Sequence, residues 1–90
     1  MLKARIWEED NLVVSIKITC DSSYMSNLER RLVFDVINPI AGGLFTSTSG
    51  GDKPAYTMYT KKLETSEGVS LYAKTTIKEL ISLGIPVQID

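Results

Sequence analysis

The ionisable residues of this chain exclude the commonest forms of acid–base and nucleophilic catalysis. None of the 90 residues is a histidine, which is the side chain that most often transfers protons near neutral pH. This removes Ser–His and Cys–His nucleophile pairs as well as histidine metal sites. The acidic run Glu8, Glu9 and Asp10 falls in a predicted turn, where carboxylates lack the burial that prepares a catalytic acid. We therefore predict a protein that is not an enzyme and holds no metal or cofactor.

The single cysteine, Cys20, ends a predicted strand on its apolar side. One cysteine cannot form an intrachain disulfide, and a reactive thiol needs a nearby cation or helix N-terminus. The neighbouring charge is that of Asp21, which has the opposite sign. We predict that Cys20 is a small buried hydrophobic residue.

Residues 42–54 contain four of the six glycines, together with several hydroxyl groups, and are predicted to form a flexible loop or a short strand between hinges. Glycines and hydroxyls in sequence can point backbone N–H groups at an anion. The run Asp52-Lys53-Pro54 departs from a phosphate-binding P-loop, which needs Gly-Lys-Ser/Thr opening a helix. A mobile connector and a ligand-gripping flap both fit this segment. The candidate ligand-binding residues are Ser47, Ser49, Gly50, Gly51 and Lys53.

Tyrosines alternate with lysines in a second predicted hairpin, made from residues 56–61 and 69–74. Its outer face would carry Tyr59, Lys61, Tyr72 and Lys74. Such a face can stack nucleic-acid bases, bind an acidic protein, or simply be solvated. The formal net charge of -1 argues against nucleic acid.

Four further residues fit a protein interface better than an ordinary surface. Arg5, Trp7 and Val13 fall on the predicted outer face of the first two strands, and Trp and Arg are enriched where interfaces are tightest. Phe34 lies off the main apolar stripe of a predicted helix. Because a chain of this size has little material for a second layer, we predict that these side chains meet another chain, and that the protein is a homo-oligomer.

The elements that position these residues follow from hydrophobic periodicity. Alternation predicts strands over residues 2–8 and 12–20, joined by Glu9-Asp10-Asn11 so that Ile6 faces Val14 and Ala4 faces Ile16. Ser26 and Glu29 form a capping box for a helix over residues 27–37, which Asn38-Pro39 ends. Its predicted core stripe is Met25, Leu28, Leu32 and Val36, widened by Val33 and Ile37.

The second half of the chain allows two interpretations. Residues 69–73 continue the second hairpin, or else belong to a helix running from Ser66 through Leu83; Gly68 and the β-rich residues favour the hairpin. Thr76 and Glu79 then cap a short helix that Gly84 ends, and Pro86 confines a last strand to a sheet edge. The expected fold is a single α+β domain over residues 1–90, in the order ββα-ββα-β, with two helices on one face of a small antiparallel sheet.

Composition bounds the function without naming it. A 43% hydrophobic fraction excludes a disordered chain, and no apolar run approaches a membrane span. We expect a soluble cytoplasmic domain that binds a protein partner as an oligomeric adaptor or inhibitor, a role common among accessory proteins of viruses and mobile elements. The alternative is a small-ligand or nucleotide-binding protein that uses the Gly/Ser-rich loop and the Tyr/Lys face.

Overall fold

The computed structural model describes residues 1–48 and 51–90. Two helices, α1 over residues 27–41 and α2 over Ser66–Ser82, combine with five strands. The strands are β1 (Leu2–Glu9), β2 (Val13–Cys20), β3 (Leu44–Thr48), β4 (Tyr56–Lys62) and β5 (Val87–Ile89). This composition confirms the predicted α+β class, and the chain order ββα-ββα-β also holds, although some residues fill different elements.

The five strands form one sheet in the order β3-β4-β2-β1-β5. Every neighbouring pair is antiparallel except β1 and β5, which are parallel. The sheet is therefore mixed, where a purely antiparallel sheet was predicted. The exception arises because α2 carries the chain back across the sheet before β5 begins, and a crossover of this kind brings a strand in parallel to its neighbour.

The first hairpin has the predicted inward and outward faces but a shifted register. Ile6 lies opposite Ile16, where Val14 was predicted. The loop still has three residues but begins one position later, at Asp10, and Asn11 and Leu12 adopt φ of 64° and 63°. Moving a three-residue loop by one position shifts the register by two, so each apolar set stays on the same face.

Helix α1 begins as predicted and ends later. The Ser26 hydroxyl accepts from the Glu29 N–H at 3.2 Å, and the Glu29 carboxylate accepts from the Ser26 N–H at 2.9 Å, which confirms the capping box. The chain then forms a π-helical segment, Leu32–Ile37, and a last α-helical turn, Asn38–Ala41. In a regular helix the ring of Pro39 would crowd the carbonyl four residues before it, and the wider π turn relieves that contact.

The π-helical segment also changes which side of α1 meets the sheet. The buried residues are Val33, Ile37 and Ala41, spaced four apart. The first turn buries nothing, and Leu28, predicted in the core stripe, is 79% exposed. The predicted stripe assumed a constant period of 3.6 residues, whereas a π turn inserts an extra residue and moves the buried face along the sequence.

Residues 66–82 form one helix, so the predicted second hairpin is wrong and the competing helical interpretation is right. Thr65 caps α2, its hydroxyl accepting from the Gly68 N–H at 2.9 Å. Thr76, predicted to be a cap, is buried within the helix. Packing explains the outcome, because Val69, Thr76 and Leu80 share one helical face against the sheet and tertiary burial overrides strand propensity.

Part of the predicted Gly/Ser-rich loop is the edge strand β3, which pairs with β4. Gly43 makes this pairing possible, since a Cβ added there would lie 2.4 Å from the Thr60 carbonyl oxygen. Ser49 and Gly50 lie outside the described residues. Within the described ranges, no helix has the length and apolar character needed to cross a membrane.

Candidate protein-binding surfaces

Tyr59 belongs to the core and not to an open surface. On β4 it lies opposite Ile16 of β2, so it faces the helices, and its exposed fraction is 0%. Its hydroxyl is buried without a hydrogen-bond partner in the described part of the chain, and burial raises the pKa of Tyr59 to about 12. The predicted outer-face position is therefore wrong. Because apolar and aromatic residues occur at both parities of β4, only pairing with β2 decides which side faces inward.

Tyr72 also lies away from the predicted sheet face. Its half-buried side chain projects from α2, and its hydroxyl donates to the Ala41 carbonyl at the end of α1. Burial raises the pKa of the Tyr72 phenol. Lys61 lies at the end of β4 opposite Val14, on the helix side, and Lys74 is exposed on α2. The predicted Tyr/Lys face is therefore not assembled by the structure.

The predicted outward orientation of Arg5, Trp7 and Val13 is confirmed, because all three lie on the sheet face opposite the helices. The Nε atom of Arg5 donates to the Asp90 carboxylate at 2.9 Å. Arg5 also lies directly opposite Lys17. Val13 is half-buried and pairs with Glu9. The sequence had predicted these side chains to face outward, and their role in binding remains a prediction.

A groove of about 330 Å³ on the helix side of the sheet lies between β1, α2 and β5, and we call it the Trp7 groove because Trp7 of β1 borders it. The Trp7 side chain points to the opposite face of β1. Its indole Nε1 donates to the Glu9 carboxylate at 3.3 Å, and the ring is half-buried. Most of the groove is apolar, and the apolar side chains that face it from the sheet and from α2 are those of Ile6, Val14, Val69, Ala73, Ile77 and Ile89.

The rim of the Trp7 groove carries charges of both signs, with Glu8 and Asp90 from the sheet and Lys74 from α2. Ile89, which also lines the groove, is 69% exposed. Of the predicted binding residues, Lys74 lies on the rim of the groove, and Trp7 borders it with its side chain on the opposite face of β1. Ala73 and Ile77 were not predicted as binding residues. The sequence signal that could identify them is the helical spacing of Ala73, Lys74 and Ile77, which the hairpin interpretation of residues 69–74 does not use.

A second exposed surface, which we call the aromatic edge, consists of Phe34, Leu44 and Phe45. The Phe34 and Phe45 ring centroids are 5.4 Å apart, and Phe45 is 5.5 Å from the Tyr59 ring. Phe34 is 49% exposed, Phe45 38% and Leu44 79%. The predicted surface position of Phe34 is consistent with these values. A cleft of about 180 Å³ beside Phe34 is lined in part by Arg30 and Ser47.

The described ligand-binding candidates occupy different places. Ser47 lies on β3 beside the Phe34 cleft. Gly51 and Lys53 line a separate depression with Thr48, Asp52 and Tyr56. The Ser23 hydroxyl donates to the Gly51 carbonyl at 2.9 Å, which ties this turn to the end of β2. Ser49 and Gly50 lie outside the described residues, and Ser47 does not share a depression with Gly51 and Lys53.

The remaining chemistry of the described chain is sparse. Cys20 is buried, as predicted, and its thiol donates to the Ser22 carbonyl at 2.9 Å. Over residues 1–48 and 51–90, no group of three or more Cys, Asp or Glu side chains is placed to hold a metal ion. In the comparisons with known proteins, neither a family model nor a curated protein matches the sequence.

Proposed function

We propose that this chain is a cytoplasmic, non-catalytic protein-binding module, an adaptor or inhibitor that occupies a partner protein through the Trp7 groove. The observation that carries the proposal is the groove itself, a largely apolar depression of about 330 Å³ between β1, α2 and β5. Pockets that bind a ligand in proteins measure about 300–1,000 Å³, so the groove lies at the lower end of that range.

The groove has the composition of an interface centre. Side chains that dominate binding energy lie in apolar pockets ringed by polar groups, and the apolar side chains of this groove are bordered by Glu8, Lys74 and Asp90. Ile89 is 69% exposed on the helix side of the sheet, so an apolar side chain inserted into the groove would cover it, whereas the Trp7 ring stays on the opposite face of β1. Burying that apolar surface favours association.

The rim charges restrict the partner further. Lys74 stands on the helix side, and Glu8 and Asp90 stand on the sheet side. A partner segment with one apolar anchor, an acidic group toward α2 and a basic group toward β1 would match both sides. Complementary charges of this kind set orientation and association rate more than affinity.

The test uses two variants of α2 that add the same side chain at different positions. Ala73→Arg places a long cation inside the groove, while Leu71→Arg adds one at a residue that is 69% exposed and does not line the groove. Proteins captured by the parent chain and by Leu71→Arg, identified by mass spectrometry, should be lost with Ala73→Arg. For a captured protein, calorimetry should show a dissociation constant at least about tenfold higher, equivalent to about 1.4 kcal/mol.

Two results would contradict this function. Capture of the same proteins by Ala73→Arg and the parent would show that the groove is not used. A nucleotide that raises the melting temperature of the parent but not of Lys53→Ala would favour the small-ligand alternative, since ligands that bind the folded state stabilise it. The homo-oligomer predicted from the sequence is a separate proposal, because the groove can bind a partner without it.

A further inference from the structure

The backbone hydrogen bonds determine which groups of β3 remain on the free edge of the sheet. Cys20 N–H donates to the Ala55 carbonyl at 3.1 Å, and Leu63 N–H donates to the Leu12 carbonyl at 2.9 Å. The odd-numbered residues of β4 therefore bond to β2. In an antiparallel ladder consecutive residues bond to opposite sides, so the even-numbered residues of β4 bond to β3.

The register between β3 and β4 determines which residues of β3 bond to β4. Tyr56, Met58 and Thr60 lie opposite Thr48, Thr46 and Leu44. These even-numbered residues of β3 therefore use their N–H and C=O groups toward β4. The N–H and C=O groups of Phe45 and Ser47 point away from the sheet, along an edge that no other strand of the described residues covers.

This edge lacks the features that normally prevent strand pairing. Protected edges carry charged side chains, prolines or bulges. The strand Leu44-Phe45-Thr46-Ser47-Thr48 has none of these residue types and forms an unbroken register with β4. All five of its residues are exposed. The opposite edge, β5, has only three residues and is flanked by the Arg5–Asp90 ion pair.

We propose that β3 pairs antiparallel with β3 of a second copy of this chain, forming a dimer with a continuous ten-stranded sheet. A two-fold axis through the edge satisfies the outward groups of Phe45 and Ser47 reciprocally, since each copy offers the same donors and acceptors. A neutral strand also meets its own copy without opposing like charges. Because β3 is the one long and unprotected edge strand within residues 1–48 and 51–90, the pairing closes at two subunits.

Side chains on both faces of the sheet support the same arrangement. Leu44 lies on the open face, and Phe34 and Phe45 lie on the helix face, so a second copy would cover apolar surface on each side. These three side chains expose on the order of 300 Å² per copy, given the size of buried aromatic side chains. A standard stable interface buries about 800 Å² per partner. We therefore expect a reversible dimer that dissociates on dilution.

The test compares two substitutions at the same position. Ser47→Pro removes an N–H group that points to the free edge and leaves the β4 ladder bonds in place, whereas Ser47→Ala keeps the N–H group. Sedimentation velocity from low micromolar to millimolar concentration should show a monomer–dimer equilibrium for the parent and Ser47→Ala. Ser47→Pro should be monomeric throughout, with an unchanged circular dichroism spectrum.

Hydrogen exchange of the parent protein tests the proposal even if Ser47→Pro fails to fold. The amides of Thr46 and Thr48 bond to β4 and should be protected at every concentration. The amides of Phe45 and Ser47 should become at least about tenfold more protected as the dimer forms, because hydrogen bonding slows exchange. A parent that is monomeric at millimolar concentration overturns the proposal. So does a dimer in which the Phe45 and Ser47 amides stay unprotected, which would place the interface elsewhere and leave the Trp7 groove function untouched.

Discussion

The ring centroids of Phe34 and Phe45 are 5.4 Å apart and the ring planes are inclined by 58°. This aromatic pair joins the π-helical part of α1 to the edge strand β3. Tilted pairs of this kind contribute about 0.5–1.5 kcal/mol beyond the apolar area they bury. We expect a double-mutant cycle of Phe34→Ala and Phe45→Ala, measured by denaturant unfolding in dilute solution, to show a coupling energy of that size. Leu28→Ala with Phe45→Ala is the control, and these two should be additive within about 0.5 kcal/mol.

Substitutions of Ile16 and Leu28 distinguish the observed core from the stripe predicted by helical period. Ile16 is 1% exposed at the centre of the sheet, and Ile16→Ala should lower the free energy of unfolding by about 2–5 kcal/mol. Leu28→Ala should change it by less than about 0.5 kcal/mol, because that side chain is 79% exposed. Equal losses in urea unfolding would mean that Leu28 packs in the core after all.

Gly43 should be required for the attachment of β3 to β4. A Cβ at this position would lie 2.4 Å from a backbone oxygen, so Gly43→Ala should cost about 1–3 kcal/mol and raise the exchange rates of the Thr46 and Thr48 amides. Gly51→Ala is the control. Gly51 has φ of +72° but open space around it, so the change should cost about 1–2 kcal/mol through backbone strain and leave those exchange rates unaltered.

Two tyrosines should respond oppositely to loss of the hydroxyl. The Tyr59 hydroxyl is buried and has no hydrogen-bond partner among the described residues, so Tyr59→Phe should raise the free energy of unfolding by about 1–3 kcal/mol. The Tyr72 hydroxyl donates to Ala41, so Tyr72→Phe should lower it by about 1 kcal/mol. Thermal and urea unfolding of both variants would measure the difference. Destabilisation by Tyr59→Phe would show that its hydroxyl has a partner in solution.

Alkaline pH should destabilise the fold through the same buried phenol. The folded pKa of Tyr59 is about 12, against about 10 for an unfolded tyrosine. Between these values the unfolded chain releases a proton that the folded chain keeps, so stability is intact below about pH 10 and falls as the pH rises toward about 12. The raised pKa of Tyr72 acts in the same direction. Tyr59→Phe should lose stability less steeply over this range, and absorbance titration should show one fewer late-titrating phenol.

Local patterns were enough to predict the first hairpin, the start of α1 and the burial of Cys20. Strict alternation of apolar and polar residues predicts which side chains of β1 and β2 face inward. The prediction is the same for a loop at residues 9–11 and for the observed loop at residues 10–12. The capping box at Ser26 and Glu29 needs only residues three apart, and its hydrogen bonds form as predicted. These features depend on residues that are close together in the sequence, so they can be predicted from the sequence alone.

Only the tertiary structure decided whether residues 69–74 form a strand or a helix and which side of β4 faces inward. It also decided which elements meet at the Trp7 groove. The first of these segments fits both a strand and a helix, and α2 prevails because Val69, Thr76 and Leu80 pack together on the sheet. Tyr59 faces inward because β2 pairs with β4 in that register. The groove joins elements separated by most of the chain, and contacts at that distance depend on how the whole sheet is ordered, which no local pattern specifies.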